Sequence, residues 1–305
     1  MALRNYLVGE VAEDFADGLL TRREALRRLA LLGMAAGSAG ALLSACAEPA
    51  PAAPAGPAPG APPGAPGAGE PPGRGPGTPR GTDVRFAGPA GELRGAWAPA
   101  AGPARGAVLV IHENRGLTAH FYDVVGRFAG AGYGALCVDM LSARGGTAAL
   151  ADPAQAPTAL ADTPAEALLA DLRAGLDKLA RRVPNARLGT VGFCFGGGMA
   201  WQLLAAGEAR LAAAVPFYGP APDKPDFSRA KAAVLGLYGA LDTRVDATIP
   251  TAEAALRAAG LAHQLRTFPD ANHAFFNDTG PRYQPDAARA AWAATLAWLD
   301  QHLAA

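Results

Sequence analysis

Cys194 lies in Gly189-Thr-Val-Gly-Phe-Cys-Phe-Gly-Gly-Gly198, which reads as a buried strand turning sharply into a helix at one reactive residue. The apolar run Leu188 to Phe193 predicts a central strand buried on both faces, with a helix beginning near Gly197. Gly192 and Gly196 stand two residues either side of the cysteine, where a strand and the helix leaving it approach too closely for a β-carbon. Such an elbow lifts the thiol out of the sheet and turns helix N-terminal N–H groups toward whatever the sulfur attacks. A thiol, with an ordinary pKa of about 8.5, needs less activation than the serine usual at such a turn, and a helix N-terminus lowers it further. Two further residues complete a possible chemistry. Strand Val234 to Tyr238 runs into Gly239-Ala-Leu-Asp242, and strand Gln264 to Phe268 leads to Asp270-Ala-Asn-His273. A histidine there takes the thiol proton and returns it to a leaving group, while an aspartate holds the imidazole tautomer and stabilises the imidazolium. Singly, these residues read as a structural cysteine, a turn aspartate and a surface histidine; it is their joint order at strand ends that points to nucleophilic catalysis.

The elements that would position them alternate. Asp83-Val-Arg-Phe and Leu93-Arg-Gly-Ala-Trp97 flank Gly88-Pro-Ala-Gly91 as a hairpin. Then come a strand Ala107 to Ile111, a helix His120 to Gly130, a strand Gly134 to Val138 and an amphipathic helix Pro164 to Arg182. After the elbow follow Ala212 to Tyr218, Ala232 to Tyr238, Thr248 to Ala259, His263 to Phe268 and a last helix from about Pro285 to Leu303. This pattern predicts a doubly wound, mostly parallel sheet covered on both faces, with its site at the carboxyl ends of the strands. The order Cys194, Asp242, His273 is the nucleophile, acid, histidine order of the α/β-hydrolase fold.

The chain has 305 residues, 50% hydrophobic and 18% charged, enough for a sizeable core, and a net charge of +0 gives no support for a nucleic-acid or acidic-membrane partner. Before the alternating region the composition changes. Thr21-Arg22-Arg23-Glu-Ala-Leu-Arg27 runs into an apolar segment, Leu29 to Ala45, shorter than a membrane span, followed by Cys46. The arginine pair resembles a twin-arginine signal, and Leu43-Ser-Ala-Cys46 resembles a bacterial lipobox whose cysteine is acylated. Residues 1–46 are therefore expected to be an export signal read by twin-arginine machinery, placing the protein in the periplasm or cell envelope, with membrane attachment only through a lipid at Cys46. The acidic Glu10, Glu13, Asp14 and Asp17 keep open a retained amphipathic helix and a cytoplasmic location. Residues 47–81, almost entirely Pro, Ala and Gly, are expected to be a disordered tether, and 82–305 the catalytic domain. With Cys46 in the signal, Cys137 reads as a buried strand residue and Cys194 as a thiol outside any disulfide; no metal-ligand spacing appears.

From about Thr82 onward the sequence resembles the dienelactone hydrolase family, the carboxymethylenebutenolidases. The resemblance is carried by His112-Glu-Asn-Arg-Gly-Leu117, Asp139-Met-Leu-Ser-Ala-Arg144, Gly192-Phe-Cys-Phe-Gly-Gly197, Gly239-Ala-Leu-Asp242 and Asn272-His-Ala-Phe275. It implies an α/β-hydrolase fold and a cofactor-free hydrolase of lactones or activated esters working through a thioester on Cys194, with His273 and Asp242 completing the triad. It further implies that Glu113 pairs with the resting thiol and swings away when substrate binds. The oxyanion hole would be the backbone N–H of Phe195 with a second from the loop at Glu113 and Asn114. Members that cleave dienelactone hold the substrate carboxylate with two arginines. Arg144 fills one position, but Asn277, four residues after His273, stands where the second belongs, which weakens the expectation of dienelactone itself. Tyr218 and Phe275 are expected as an apolar wall of the substrate site. Two other functions stay in play: a general esterase unrelated to dienelactone, and a lipid-tethered envelope protein that keeps the fold for binding alone.

Overall fold

A computed structural model describes residues 3–46, 72–75 and 77–304. The chain divides into a small N-terminal unit and a larger unit that contains residues 72–304. In the small unit, α1 (Leu3–Ala16), α2 (Arg22–Leu31) and α3 (Ala36–Cys46) pack on one another. Thr21 caps α2 by accepting the Glu24 N–H at 3.2 Å, and Arg4 Nη1 donates to the Leu32 carbonyl at 2.6 Å. The apolar segment Leu29 to Ala45 is thus two helices rather than one run. Gly33, at φ 85°, stops α2, and the Met34 N–H returns to the Leu29 carbonyl. Among the described residues, no helix is long and apolar enough to cross a membrane. The expected tether from 47 to 71 and the side chain of Cys46 lie outside the described residues. Residues 78–81, expected to belong to that tether, instead pack within the larger unit. A β-carbon on Gly126 would meet the Pro79 carbonyl oxygen at 1.7 Å, and the Gly81 N–H donates to the Tyr122 carbonyl.

The larger unit opens with the predicted hairpin, β1 (Thr82–Gly88) and β2 (Gly91–Ala98), followed by β3 (Gly106–Ile111), α4 (Ala119–Gly130) and β4 (Tyr133–Val138). After α5 (Ala156–Ala161) and α6 (Ala165–Arg182) come β5 (Leu188–Phe193), α7 (Phe195–Ala205), β6 (Leu211–Phe217) and β7 (Ala233–Gly239). The chain ends with α8 (Thr243–Asp246), α9 (Ile249–Ala258), β8 (His263–Phe268) and α10 (Pro285–Leu303). The eight strands form one sheet in the order β1-β2-β4-β3-β5-β6-β7-β8, in which only β2 runs against its neighbours. This is the α/β-hydrolase arrangement expected from the sequence.

The sheet is held by apolar strands buried on both faces. Every residue of β3, β4, β5 and β7 is buried, whereas the edge strand β8 alternates. Helix α6 lays Leu168, Leu172, Leu176 and Leu179 on the sheet along one face, each contributing about 1.5–3 kcal/mol of burial. Gly175 lets that face press down, since a β-carbon there would meet Val138 Cγ2 at 2.7 Å. For the site, the decisive feature lies between β3 and β5. The chain leaves β3 toward β4 on one side and returns to β5 on the other, so the crevice at their carboxyl ends is the topological switch point, where open α/β sheets bind ligands.

Candidate active site

The strand register dictates which loops meet. Ile111 pairs with Gly192 and Phe193 with Phe217, so Glu113, Cys194 and Tyr218 leave the sheet side by side from β3, β5 and β6. Gly239 pairs with Phe268, so the loops holding Asp242 and His273 leave from neighbouring strands. Cys194 is the N-cap of α7 at φ 55°, ψ −117°, a strained backbone for a residue with a β-carbon. The helix starts at Phe195, two residues earlier than expected, because the turn is tighter than the glycine run suggests. A β-carbon on Gly192 would lie 2.0 Å from the Gly196 carbonyl oxygen, and one on Gly196 would lie 2.2 Å from that of Ile111. The two glycines thus allow the first turn of α7 to rest against the loop after β3, as the spacing predicted.

His273 Nδ1 lies 2.6 Å from Asp242 Oδ2, and the other carboxylate oxygen accepts the Val245 N–H at 3.2 Å. Burial alone would raise the Asp242 carboxyl, but the charge and hydrogen bond of His273, with Arg244 and the Val245 N–H, outweigh it and hold it below its ordinary range. A ring nitrogen of His273 lies within 4.8 Å of Cys194 Sγ. The structure therefore brings together the three residues picked out by sequence order. Neither Cys137 nor Cys194 is in a disulfide.

Both oxygens of Glu113 are occupied. Tyr218 Oη donates to Oε1 at 3.1 Å and Asn277 Nδ2 to Oε2 at 2.8 Å. The Asn277 carbonyl oxygen accepts from Thr279 N and Oγ1, which turns the amide NH2 toward Glu113. Burial, followed by the charges of Glu113 and Cys194, pushes the Tyr218 hydroxyl far above its usual range and keeps it a donor. Asn277 and Tyr218, expected to contact substrate, are therefore committed to Glu113. Phe275 packs against Phe217, Tyr218 and Phe268, as part of an aromatic cluster. Arg144 ends a single 3-10 turn after β4 and reaches outward, half-exposed, to Asp162 at 4.0 Å. Placement after the correct strand was legible in the sequence, whereas its outward direction was not.

Two groups that sequence reasoning passed over brace this arrangement. His112 Nε2 accepts the Met140 N–H at 3.0 Å, so Nδ1 carries the proton and donates to the Glu113 carbonyl at 2.7 Å. Burial holds this imidazole below its ordinary pKa despite Asp139 and Glu113 nearby, keeping it neutral. Asp278, next to Asn277, is clamped on α4, with Oδ1 2.9 Å from His120 Nδ1 and Oδ2 2.6 Å from Arg127 Nη2. Both histidines stand in or just beyond the motif His112 to Leu117, which was the available signal.

A profile of the dienelactone hydrolase family matches residues 93–303. The chain belongs to the dienelactone hydrolase family. A candidate carboxymethylenebutenolidase of Methylorubrum extorquens is 34% identical over 218 residues, covering 67% of this chain and 75% of the relative. One of Salmonella typhimurium is 34% identical over 208 residues, 64% of this chain and 77% of the relative. The crystal structure of a candidate dienelactone hydrolase from Klebsiella pneumoniae superposes with a TM-score of 0.65 at 30% identity, covering 72% of this chain and 98% of that one. Dienelactone hydrolase membership makes this protein an ester and lactone hydrolase by class, on the α/β-hydrolase fold.

Proposed function

We propose that the protein hydrolyses neutral carboxylic esters and lactones through a thioester on Cys194, with His273 as general base and acid and Asp242 as its orienter. The carrying observation is the Asp242–His273 contact of 2.6 Å on a ring that also lies within 4.8 Å of the sulfur. In this reading His273 takes the Cys194 proton as the sulfur bonds to the substrate carbonyl carbon. The oxyanion that forms accepts the Phe195 and Asn114 backbone N–H groups at the start of α7 and in the loop after β3. Collapse breaks the bond to the leaving oxygen, and His273 returns the proton to it, releasing an alcohol or the opened end of a lactone. Water then gives a proton to His273 and its oxygen to the acyl carbon. The carbon–sulfur bond breaks, the sulfur recovers a proton and a carboxylic acid leaves. Glu113 is the carboxylate that pairs with the resting thiol and swings away when substrate binds; its hydrogen bonds from Tyr218 and Asn277 support a place for it at the site.

The preference for neutral substrates rests on charge. Asn277 is engaged by Glu113 and Arg144 by Asp162, so the pair of cations that would neutralise a substrate carboxylate is missing from these two positions. We further propose export by twin-arginine machinery to the cell envelope with acylation of Cys46, a reading supported by the exposed Arg22 and Arg23 at the start of α2. The test of the catalytic reading is a burst of alcohol from an activated aryl ester, together with mass spectrometry of the trapped acyl group. An acyl adduct on Cys194 is expected; steady turnover in Cys194→Ala refutes it.

A further inference from the structure

His112 is fully buried, lies in the loop that carries Glu113, and has no step in the reaction above. Its two ring nitrogens are both spoken for, and by backbone. Nε2 receives the N–H of Met140, which follows β4, and Nδ1–H is given to the carbonyl of Glu113, which follows β3. That carbonyl shares one rigid peptide plane with the N–H of Asn114, and in a trans peptide the two point in opposite directions. Fixing the oxygen therefore fixes where the Asn114 N–H points. The Gly116 N–H also reaches the Glu113 oxygen, at 3.2 Å, but it belongs to the same turn and moves with it. Outside that turn, the imidazole ties this carbonyl to the backbone that follows the adjacent strand, through Met140. The ring is itself held in place, stacked on Phe195 at 6.1 Å between centroids and edge-on to Phe121 at 6.2 Å. Phe195 supplies the other oxyanion N–H, so one side chain touches both halves of the hole.

We propose that His112 is a positioning residue for the oxyanion hole: as a neutral ring protonated at Nδ1, it holds the Glu113–Asn114 peptide with the Asn114 N–H aimed at the developing oxyanion. The inference rests on the thioester reading above. Because an oxyanion exists only during acyl transfer, this role predicts loss in kcat with KM and thiol reactivity spared.

Two near-isosteric variants split the two hydrogen bonds. In His112→Asn the amide nitrogen takes the place of Nδ1 and can still donate to the Glu113 carbonyl. In His112→Gln the amide reaches the Nε2 position, where its oxygen still accepts from Met140, but the Glu113 carbonyl is released. Full-length proteins are assayed with a neutral aryl ester, and iodoacetamide alkylation of Cys194 is timed by peptide mass spectrometry, since alkylation forms no oxyanion. For His112→Gln, kcat is expected to fall about tenfold to a hundredfold, less than complete loss of an oxyanion donor, with KM within about twofold. His112→Asn should recover most of that loss, and both should be alkylated at the wild-type rate. Wild-type kcat in His112→Gln overturns the proposal, as do equal losses in both variants or alkylation that slows in step with kcat. Activity surviving in Cys194→Ala would instead condemn the underlying thioester reading.

Discussion

Replacing Asp242 by Asn tests the charge relation at the centre of the site while leaving its shape alone. The Asp242 carboxylate accepts twice, from His273 Nδ1 at 2.6 Å and from the Val245 N–H at 3.2 Å. An amide has one acceptor, and the backbone N–H of Val245 can only donate, so the Asn oxygen must face Val245 and its NH2 must face the imidazole. His273 Nδ1 then has to accept, which moves the ring proton to Nε2 and removes the lone pair that takes the thiol proton. Loss of the negative charge beside the imidazolium adds to this. The tautomer error alone is worth about 10⁴ in a serine triad; a thiol, more acidic than a hydroxyl, leans less on its base, so we expect kcat/KM to fall about 10³-fold, or ~4 kcal/mol. Both hydrogen bonds survive, so the melting temperature should barely move. The assay is steady-state hydrolysis of a neutral aryl ester, with Cys194→Ala as the floor. A folded Asp242→Asn enzyme within about threefold of wild type would refute the argument that this carboxylate sets the tautomer.

Cys194→Ala should abolish ester hydrolysis with the fold intact by circular dichroism, and Cys194→Ser should be nearly as poor, because a hydroxyl hardly ionises where a thiol does. Asn277→Leu removes one of two donors to the Glu113 carboxylate and should cost about 1.5–3 kcal/mol in kcat/KM, the worth of one hydrogen bond to a charged group. Asn277→Arg should pair with Glu113, so its hydrolysis of a carboxylated lactone should stay at the wild-type level; a large gain would show that the new cation reaches substrate. Burial works against ionised Asp278, but His120 and Arg127 outweigh it and bring its pKa down to about 2. A pKa lower in the folded than in the unfolded chain stabilises above about pH 4 and loses that contribution as pH falls toward 2, here at most about 2 kcal/mol. Urea unfolding of wild type and Asp278→Asn at pH 6 and pH 3 should show the acid-induced loss reduced in the variant. Arg22→Lys with Arg23→Lys should leave the protein in the cytoplasmic fraction, since the exporter reads the pair and not its charge; unchanged fractionation would remove the twin-arginine reading.

The sheet and the meeting of Cys194, Asp242 and His273 were legible because they are written in short-range terms. Apolar runs such as Ala107 to Ile111 and Leu188 to Phe193 became β3 and β5, and the glycines around Cys194 announced a turn that no other residue fits. What escaped was contact across the switch point. That Asn277 meets Glu113, 164 positions away, and that Tyr218 offers its hydroxyl instead of its ring, follow from strand order and register, which periodicity does not encode. The same holds for His112, whose role depends on Met140 at the end of the adjacent strand. Arg144 was placed after the correct strand, but that its side chain runs outward to Asp162 depends on a contact that periodicity does not give. The junction before β1 was misjudged on composition: residues 78–81 are held by backbone contacts with α4 that their Pro and Gly content does not reveal.

The order of the strands has a consequence for biosynthesis. The thiol at Cys194 is translated well before Asp242 and His273, and β7 and β8, which carry those partners, add to the sheet from the far side of β6. A nascent or truncated chain therefore exposes a cysteine with neither base nor orienter. In the proposed thioester reading, base and orienter reach the sulfur only once the last edge strand is laid down. On that reading, partly made copies should therefore turn over no ester, although their exposed thiol can still be alkylated.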